Sequence, residues 1–236
     1  MILSTSHKFI FCHIPKTAGS AIANSLLPYE TERNRSIIRS ASRRLPIVEH
    51  PRKAHFRMHD TAAKIQSKLS AKVYDEFFVF AVIRNPYDHA ISHFEYLKQY
   101  RYKHISDKIS NMSFSEYLDF RGENLRHERK SRIDLFARLP NQSYWITDSR
   151  NNIIVDQLLR FEDLDAEFAS LTTQLSLGDL KVPTINKSKN RNREISIQEY
   201  YNAETREKVE ELYSEDFANF GYEIGKFSKS NLIKTR

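Results

Sequence analysis

Short uninterrupted apolar runs alternate along this chain with longer stretches in which apolar residues recur every three or four positions. The first run, Phe9 to Ile14, and the strongest, Phe77-Phe-Val-Phe-Ala-Val-Ile83, are rich in aromatic and β-branched residues, the pattern of strands buried on both faces of a parallel sheet. A third segment, Asn152 to Phe161, carries Ile153-Ile-Val155 and Leu158-Leu159 and reads as a further strand or a hairpin. Pro15 stops the first run, and from Ala21 onward Ala21, Ile22 and Leu26 predict a helix with one packed face.

The helix signals between these runs are equally local. Asp60 or Thr61 can cap a short helix to about Ser70. Pro86 suits a first helical turn, and the segment Tyr87 to about Lys103 continues it with Ile91, Phe94, Tyr96 and Leu97 for packing. Ser113-Phe-Ser-Glu116 is a capping-box pattern, residues 124 to 138 read as a charged helix, and Asp163 caps a helix through Leu175. A second capping-box pattern, Ser196-Ile-Gln-Glu199, opens a helix to about Tyr213, and Gly221 ends the turn around Phe217. The alternation predicts an α/β fold, a parallel β-sheet flanked by helices, and the length suits one domain over residues 1–236 with a flexible tail from about 226.

Composition narrows the setting. The one cysteine, Cys12, lies in the first strand, where it acts as a small apolar residue with no internal disulfide partner, which fits a reducing cytoplasm. No window offers the ~20 apolar residues of a membrane span, and a strand starting near residue 8 leaves no room for a signal peptide, so the expectation is a cytoplasmic, unanchored protein. A formal charge of +7 points to an anionic partner, with nucleic acid as the bland alternative. The most basic tract lies within residues 30 to 57, with Arg33, Arg35, Arg39, Arg43, Arg44, Arg52, Lys53 and Arg57 against three glutamates. Its prolines and low apolar content make it a surface segment, and its arginines suggest the side that meets an anionic or extended acceptor.

Candidate chemistry sits where predicted strands end. Between the first strand and its helix lie Pro15, Lys16, Thr17, Ala18, Gly19, Ser20 and Ala21: a cation, two hydroxyls, a glycine for close approach and the unpaired N–H groups of a helix start. These are the parts of a phosphate cradle. A nucleoside triphosphatase loop is excluded, because the one Gly-Lys pair is Gly225-Lys226 and Phe227 follows it, and no pair of the five glycines can begin a dinucleotide fingerprint. The second strand ends on Arg84-Asn-Pro, and Ser92 follows on the next helix, so a cation and a hydroxyl again stand at the edge where open α/β sheets bind ligands.

The loop His13-Ile-Pro-Lys-Thr-Ala-Gly-Ser20 resembles the 5′-phosphosulfate loop of sulfotransferases that use 3′-phosphoadenosine 5′-phosphosulfate (PAPS), especially the carbohydrate-type, family 2-like branch. Arg84 and Ser92 match that family's 3′-phosphate motif, and the likeness continues through His59-Asp-Thr-Ala-Ala and the ending Asn186-Lys-Ser-Lys to Phe217-Ala-Asn-Phe-Gly-Tyr222. Ala18 departs from it, standing where many members have glycine; that removes backbone freedom but no ligand group. The resemblance implies the P-loop nucleoside-kinase-like sulfotransferase fold, PAPS as co-substrate and a hydroxyl acceptor, such as a carbohydrate. Lys16 would neutralise the leaving phosphate and Thr17, Gly19 and Ser20 would cradle it. Arg84 and Ser92 would hold the 3′-phosphate, and a loop containing Asn186, Ser188, Lys189 and Arg191 would close over the nucleotide.

For the base that takes the acceptor proton, the candidates are His55, His59, Glu49 and Glu95. His59 is preferred because an ordinary imidazole, pKa near ~6.5, is largely neutral yet basic at cytoplasmic pH, and because it falls in the family's His-x-Thr-Ala segment. The pairs His55/His59 and His89/His93 have i, i+4 spacing, but no third ligand accompanies them, so no metal is expected. A kinase-like phosphotransferase and a basic nucleic-acid-binding module remain as alternatives.

Overall fold

The computed structural model describes residues 1–31, 47–126, 140–183 and 196–227. They belong to two compact units interleaved along the chain, the first drawn from Met1–Ile83 and Gln142–Asn186, the second from Arg84–Asn141 and Lys187–Ile233. Among the described residues, no helix is long and apolar enough to cross a membrane.

The first unit is built on a four-stranded sheet whose strands lie side by side in chain order, beginning with β1 (Ile2–Ser4). Strands β2 (Phe9–Cys12), β3 (Phe78–Ile83) and β4 (Gln157–Arg160) run parallel, with Phe11 beside Phe80 and Ala81 beside Leu158. The period of two sends Phe9, Phe11, Phe80 and Val82 to one face, where Ile22 and Leu26 of α1 (Gly19–Leu26) and Phe168 and Leu171 of α7 (Leu164–Gln174) complete a closed apolar cluster. The alternate positions Ile10, Cys12, Val79 and Ala81 are buried too, which is why both runs read as continuous hydrophobics. The unit also holds α2 (Ala62–Leu69), capped by Thr61, whose hydroxyl accepts from Lys64 N–H at 3.2 Å, and the one-turn helix α3 (Ala71–Tyr74). Asp60 instead accepts from Arg57 N–H and pairs with Lys64 at 2.6 Å.

Two features of this unit depart from the sequence reading. Ile2–Ser4 forms a short strand, β1, antiparallel to β2, which three residues are too few to announce by pattern. In the third apolar segment only Gln157–Arg160 joins the sheet; Ile153 makes an isolated antiparallel bridge to Thr147.

In the second unit α4 (Pro86–Lys98) follows an N-cap in which Asn85 Oδ1 accepts from Tyr87 N–H at 3.0 Å. It stops at Lys98 rather than Lys103, because burial runs out after Leu97; Tyr96, expected to pack, is 39 % exposed. A separate helix, α5 (Lys103–Ser110), then buries Ile105 and Ile109. The capping box at Ser113 and Glu116 opens α6 (Phe114–Arg126), leaving the rest of the expected helix over 124 to 138 outside the described residues. The box at Ser196 and Glu199 also forms, but it closes only the 3-10 turn Ile197–Tyr200. Tyr201 is extended and buried there, its hydroxyl donating to Tyr87 O at 2.7 Å, so the long helix α8 (Ala203–Leu212) starts behind a second reciprocal cap between Asn202 and Thr205. The last described helix, α9 (Ser214–Phe220), ends at Gly221, whose φ of 62° is a left-handed cap.

The sheet core should carry the first unit's stability. Phe80→Ala, deleting a fully buried ring at the centre of the cluster, is expected to cost about 3–5 kcal/mol in denaturant unfolding. Leu27→Ala, at a side chain 51 % exposed, should stay within about 0.5 kcal/mol.

Candidate functional site

In the first unit the chain leaves β2 at Cys12 and turns over Pro15–Ala18 into α1. Lys16 (φ 69°) and Ala18 (φ 63°) are both left-handed, a conformation that costs a residue with a Cβ of order 1 kcal/mol or more. Ala18 thus takes, at a cost, the geometry for which glycine is free. The buried Thr17 hydroxyl donates to Ile14 O at 3.0 Å and braces the loop from beneath. Ala18 is the N-cap of α1, yet no side chain caps that helix and its first turn holds no acidic residue, whereas Thr61, Asn85 and Asn202 each cap theirs. The Gly19 and Ser20 N–H groups of that first turn, which Lys16 precedes by three residues, are therefore suited to an anion.

Gly19 is glycine for a reason not visible in the motif. A Cβ there would stand 1.9 Å from His13 Cδ2 and 2.2 Å from Nε2, so the His13 ring fills the space a side chain would need. His13 is 4 % exposed, stacks on Phe11 with centroids 5.9 Å apart, and its Nδ1 is buried without a hydrogen-bond partner. Burial, and next the nearby His59, pull its pKa down to about 2, so it is a neutral imidazole at all ordinary pH.

His59 is packed against His13. Its ring lies 4.4 Å from that of His13 and 6.0 Å from the Trp145 indole, and its Nδ1 donates to His13 O at 2.9 Å. A carbonyl can only accept, so the proton of neutral His59 is fixed on Nδ1 and the basic lone pair on Nε2. Desolvation by its neighbours lowers the His59 pKa below the ordinary value, outweighing the carbonyl bond that raises it. The other base candidates are engaged elsewhere: Glu49 pairs with Lys68 at 3.5 Å, Glu95 with Lys98 at 3.1 Å, and His55 Nδ1 lies 3.1 Å from Lys53 O.

In the second unit Arg84 is buried, and its Nε donates to Asp88 Oδ2 at 2.6 Å, one turn along. Ser92, half-buried, follows at the next i, i+4 position on the same face of α4. Asp88 therefore fixes the plane of the guanidinium. His89 and His93 are buried structural groups, His93 Nδ1 meeting the Tyr117 hydroxyl and lying 3.3 Å from Arg121 Nη1. Among the described residues no cluster of three histidine, cysteine or carboxylate side chains could hold a metal ion. Lys226 and Phe227, expected in the tail, are held: Asn85 Nδ2 donates to Lys226 O at 3.2 Å, and the Phe227 ring lies 4.8 Å from that of Tyr87.

Asn186, Ser188, Lys189 and Arg191, and Arg33, Arg35, Arg39, Arg43 and Arg44 of the basic tract, lie outside the described residues; Arg52, Lys53 and Arg57 are exposed. Of the predicted site residues, Pro15 to Ala21 and His59 lie in the first unit, where His13 touches both the loop and His59, while Arg84 and Ser92 lie in the second, eight residues apart with Asp88 between them. Sequence reasoning missed Asp88, which the Arg84-x3-Asp88-x3-Ser92 spacing could have exposed, and His13, which continues the Phe9, Phe11 face of β2 and so read as core. It also missed Trp145, which no local signal marks.

The model of the sulfotransferase family matches residues 1–223 of this chain. No curated protein and no solved structure matches it.

The contact between His13 and Gly19 is directly testable. Gly19→Ala should destabilise the protein by about 1–3 kcal/mol through overpacking, measured by thermal or urea unfolding. Adding His13→Ala should recover most of that loss in the double variant, because the ring that obstructs the new methyl is gone.

Proposed function

Because the chain belongs to the sulfotransferase family, a family of transferases with the mixed α/β sheet described above, we propose that it is a PAPS-dependent sulfotransferase acting on a hydroxyl of a carbohydrate. The observation that carries this reading is the uncapped, acid-free start of α1, directly after the Lys16 loop in the chain, joined to the tautomer of His59. Parallel neighbours β2 and β3 end at one edge of the sheet, and Lys16 follows the first closely while Arg84 directly follows the last residue of the second. The match of both segments to the family's 5′- and 3′-phosphate motifs supports a nucleotide with phosphates on both positions.

The donor supplies a sulfuryl group on a good phosphate leaving group, and the chain's residues have three tasks. The Gly19 and Ser20 N–H groups and Lys16 receive the charge that builds on the leaving phosphate oxygen as its bond to sulfur breaks. Arg84, oriented by Asp88, and Ser92 bind the 3′-phosphate and orient the nucleotide. His59 Nε2 takes the acceptor hydroxyl proton as the new oxygen–sulfur bond forms, while His13 O holds the proton already on Nδ1. Asn186, Ser188, Lys189 and Arg191 would cover the nucleotide. No metal enters this scheme. The protein is read as cytoplasmic, and its basic tract as facing an anionic acceptor.

Calorimetry with 3′-phosphoadenosine 5′-phosphate and 5′-AMP, both in EDTA, tests the nucleotide reading. The bisphosphate should bind more tightly, and Arg84→Ala should lose about 1.5–3 kcal/mol toward it, the worth of a charge-assisted hydrogen bond. Equal affinities, or no loss in the variant, would overturn the reading.

The His59 assignment predicts a pH dependence. Only the neutral imidazole can accept a proton and its pKa is lowered, so kcat should fall only as pH drops below ~6.5 and stay level above it. His59→Ala should reduce kcat by about 10²–10⁴ and remove that acid limb, with nucleotide affinity and melting temperature nearly unchanged. Retention of most activity would return the role to His55 or Glu95.

A further inference from the structure

The segment Gly225–Phe227 lies past the residues matched by the family and belongs to the second unit. Within the second unit it is bound at three points to the turn immediately after Arg84. Gly225 N–H donates to the Tyr87 hydroxyl at 2.8 Å. Asn85 Nδ2 donates to Lys226 O at 3.2 Å, while Oδ1 of the same side chain caps α4 through Tyr87 N–H. The Phe227 ring packs 4.8 Å from Tyr87 and 5.3 Å from Tyr201, and the Arg206 guanidinium lies 5.5 Å from its centroid. Tyr87 is itself fixed from below: its hydroxyl meets Glu210, its ring lies 5.1 Å from Phe217, and its carbonyl accepts from the Tyr201 hydroxyl.

We infer that Gly225–Phe227 is a strap that positions Arg84 for the 3′-phosphate, so that Phe227 and Tyr87 determine the selectivity for a 3′-phosphorylated nucleotide. This rests on the reading of Arg84 and Ser92 given above. The reasoning is geometric. Arg84 precedes Asn85 directly, and its guanidinium is fixed at one end by the backbone of that turn and at the other by Asp88. Ser92 is set by the interior of α4 and does not depend on the turn, so the relative placement of Arg84 and Ser92 is decided where Asn85, Pro86 and Tyr87 are held. The strap accepts from Nδ2 of the Asn85 amide, whose Oδ1 caps α4, and covers one side of the Tyr87 ring. Without the Phe227 ring the turn loses its outer wall, and Arg84 loses its fixed distance to Ser92 while both side chains remain present. Phe227 and Tyr87 are thus positioning residues: they act through Arg84 and need not touch the nucleotide.

The test compares affinities for 3′-phosphoadenosine 5′-phosphate and for 5′-AMP, which lacks the 3′-phosphate, in the full chain carrying Phe227→Ala or Tyr87→Phe. The strap predicts that affinity for the bisphosphate falls about tenfold, close to the effect of losing one well-placed charged hydrogen bond, while that for 5′-AMP changes less than about twofold. Phe227→Tyr, which keeps the ring, should retain wild-type selectivity. A purely structural role would lower the melting temperature, or weaken both nucleotides together, without changing their ratio. Should Phe227→Ala fail to fold, Tyr87→Phe decides, since it removes only the hydroxyl link to Gly225 and Glu210 and keeps the buried ring. Wild-type selectivity in a folded variant overturns the strap. Absence of any preference for the bisphosphate in the wild-type protein overturns instead the reading of Arg84 on which the strap depends.

Discussion

The His13 imidazole occupies the space that a side chain at Gly19 would need, and this contact joins three elements that the chemistry must keep in register. It presses the end of β2 against the start of α1, setting where the first-turn N–H groups face. Its main chain holds the proton of His59. Its ring is too buried to carry a charge, so the surroundings of the base and of the phosphate loop do not change with the protonation of His13 near neutral pH. A neutral ring is a good spacer, because it fills volume beside a basic imidazole without adding a charge to it.

The second unit relies on the same principle with opposite chemistry. The direction of Arg84 is set by pairing it with a buried carboxylate one turn away. The desolvation of that pair is a cost, and it is recovered in orientation: a guanidinium whose Nε is fixed by Asp88 presents its remaining edge in one direction. In both units, then, the groups read as functional are held by partners to which the sequence reading gave no role of their own.

That division explains what could be read from the residues in order. Strands β2 and β3 and helix α1 were legible because burial on both faces leaves long apolar runs that few other structures require. The loop from Pro15 to Ala21 was legible because its parts are consecutive. His13 was adjacent and still missed, since a histidine continuing an apolar strand face looks like one more core residue. The helix ending at Lys98 and the late start of α8 were misjudged for a tertiary reason: periodicity and a local cap do not register that Tyr96 has nothing to pack against or that Tyr201 must be extended to reach Tyr87. The link from Gly225 to Tyr87 joins residues 138 positions apart, and nothing local in either segment announces the other.

The central claim is that this fold transfers a sulfuryl group and leaves the phosphates of the nucleotide in place. PAPS labelled with one isotope in its sulfur and another in its 5′-phosphate, incubated in EDTA with the protein and a mixed set of glycans, measures this directly. The account predicts the sulfur label on the acceptor and the phosphorus label on released 3′-phosphoadenosine 5′-phosphate, with both transfer and release lost in His59→Ala. Phosphorus label on the acceptor, or transfer that appears only when a divalent metal is restored, would contradict it.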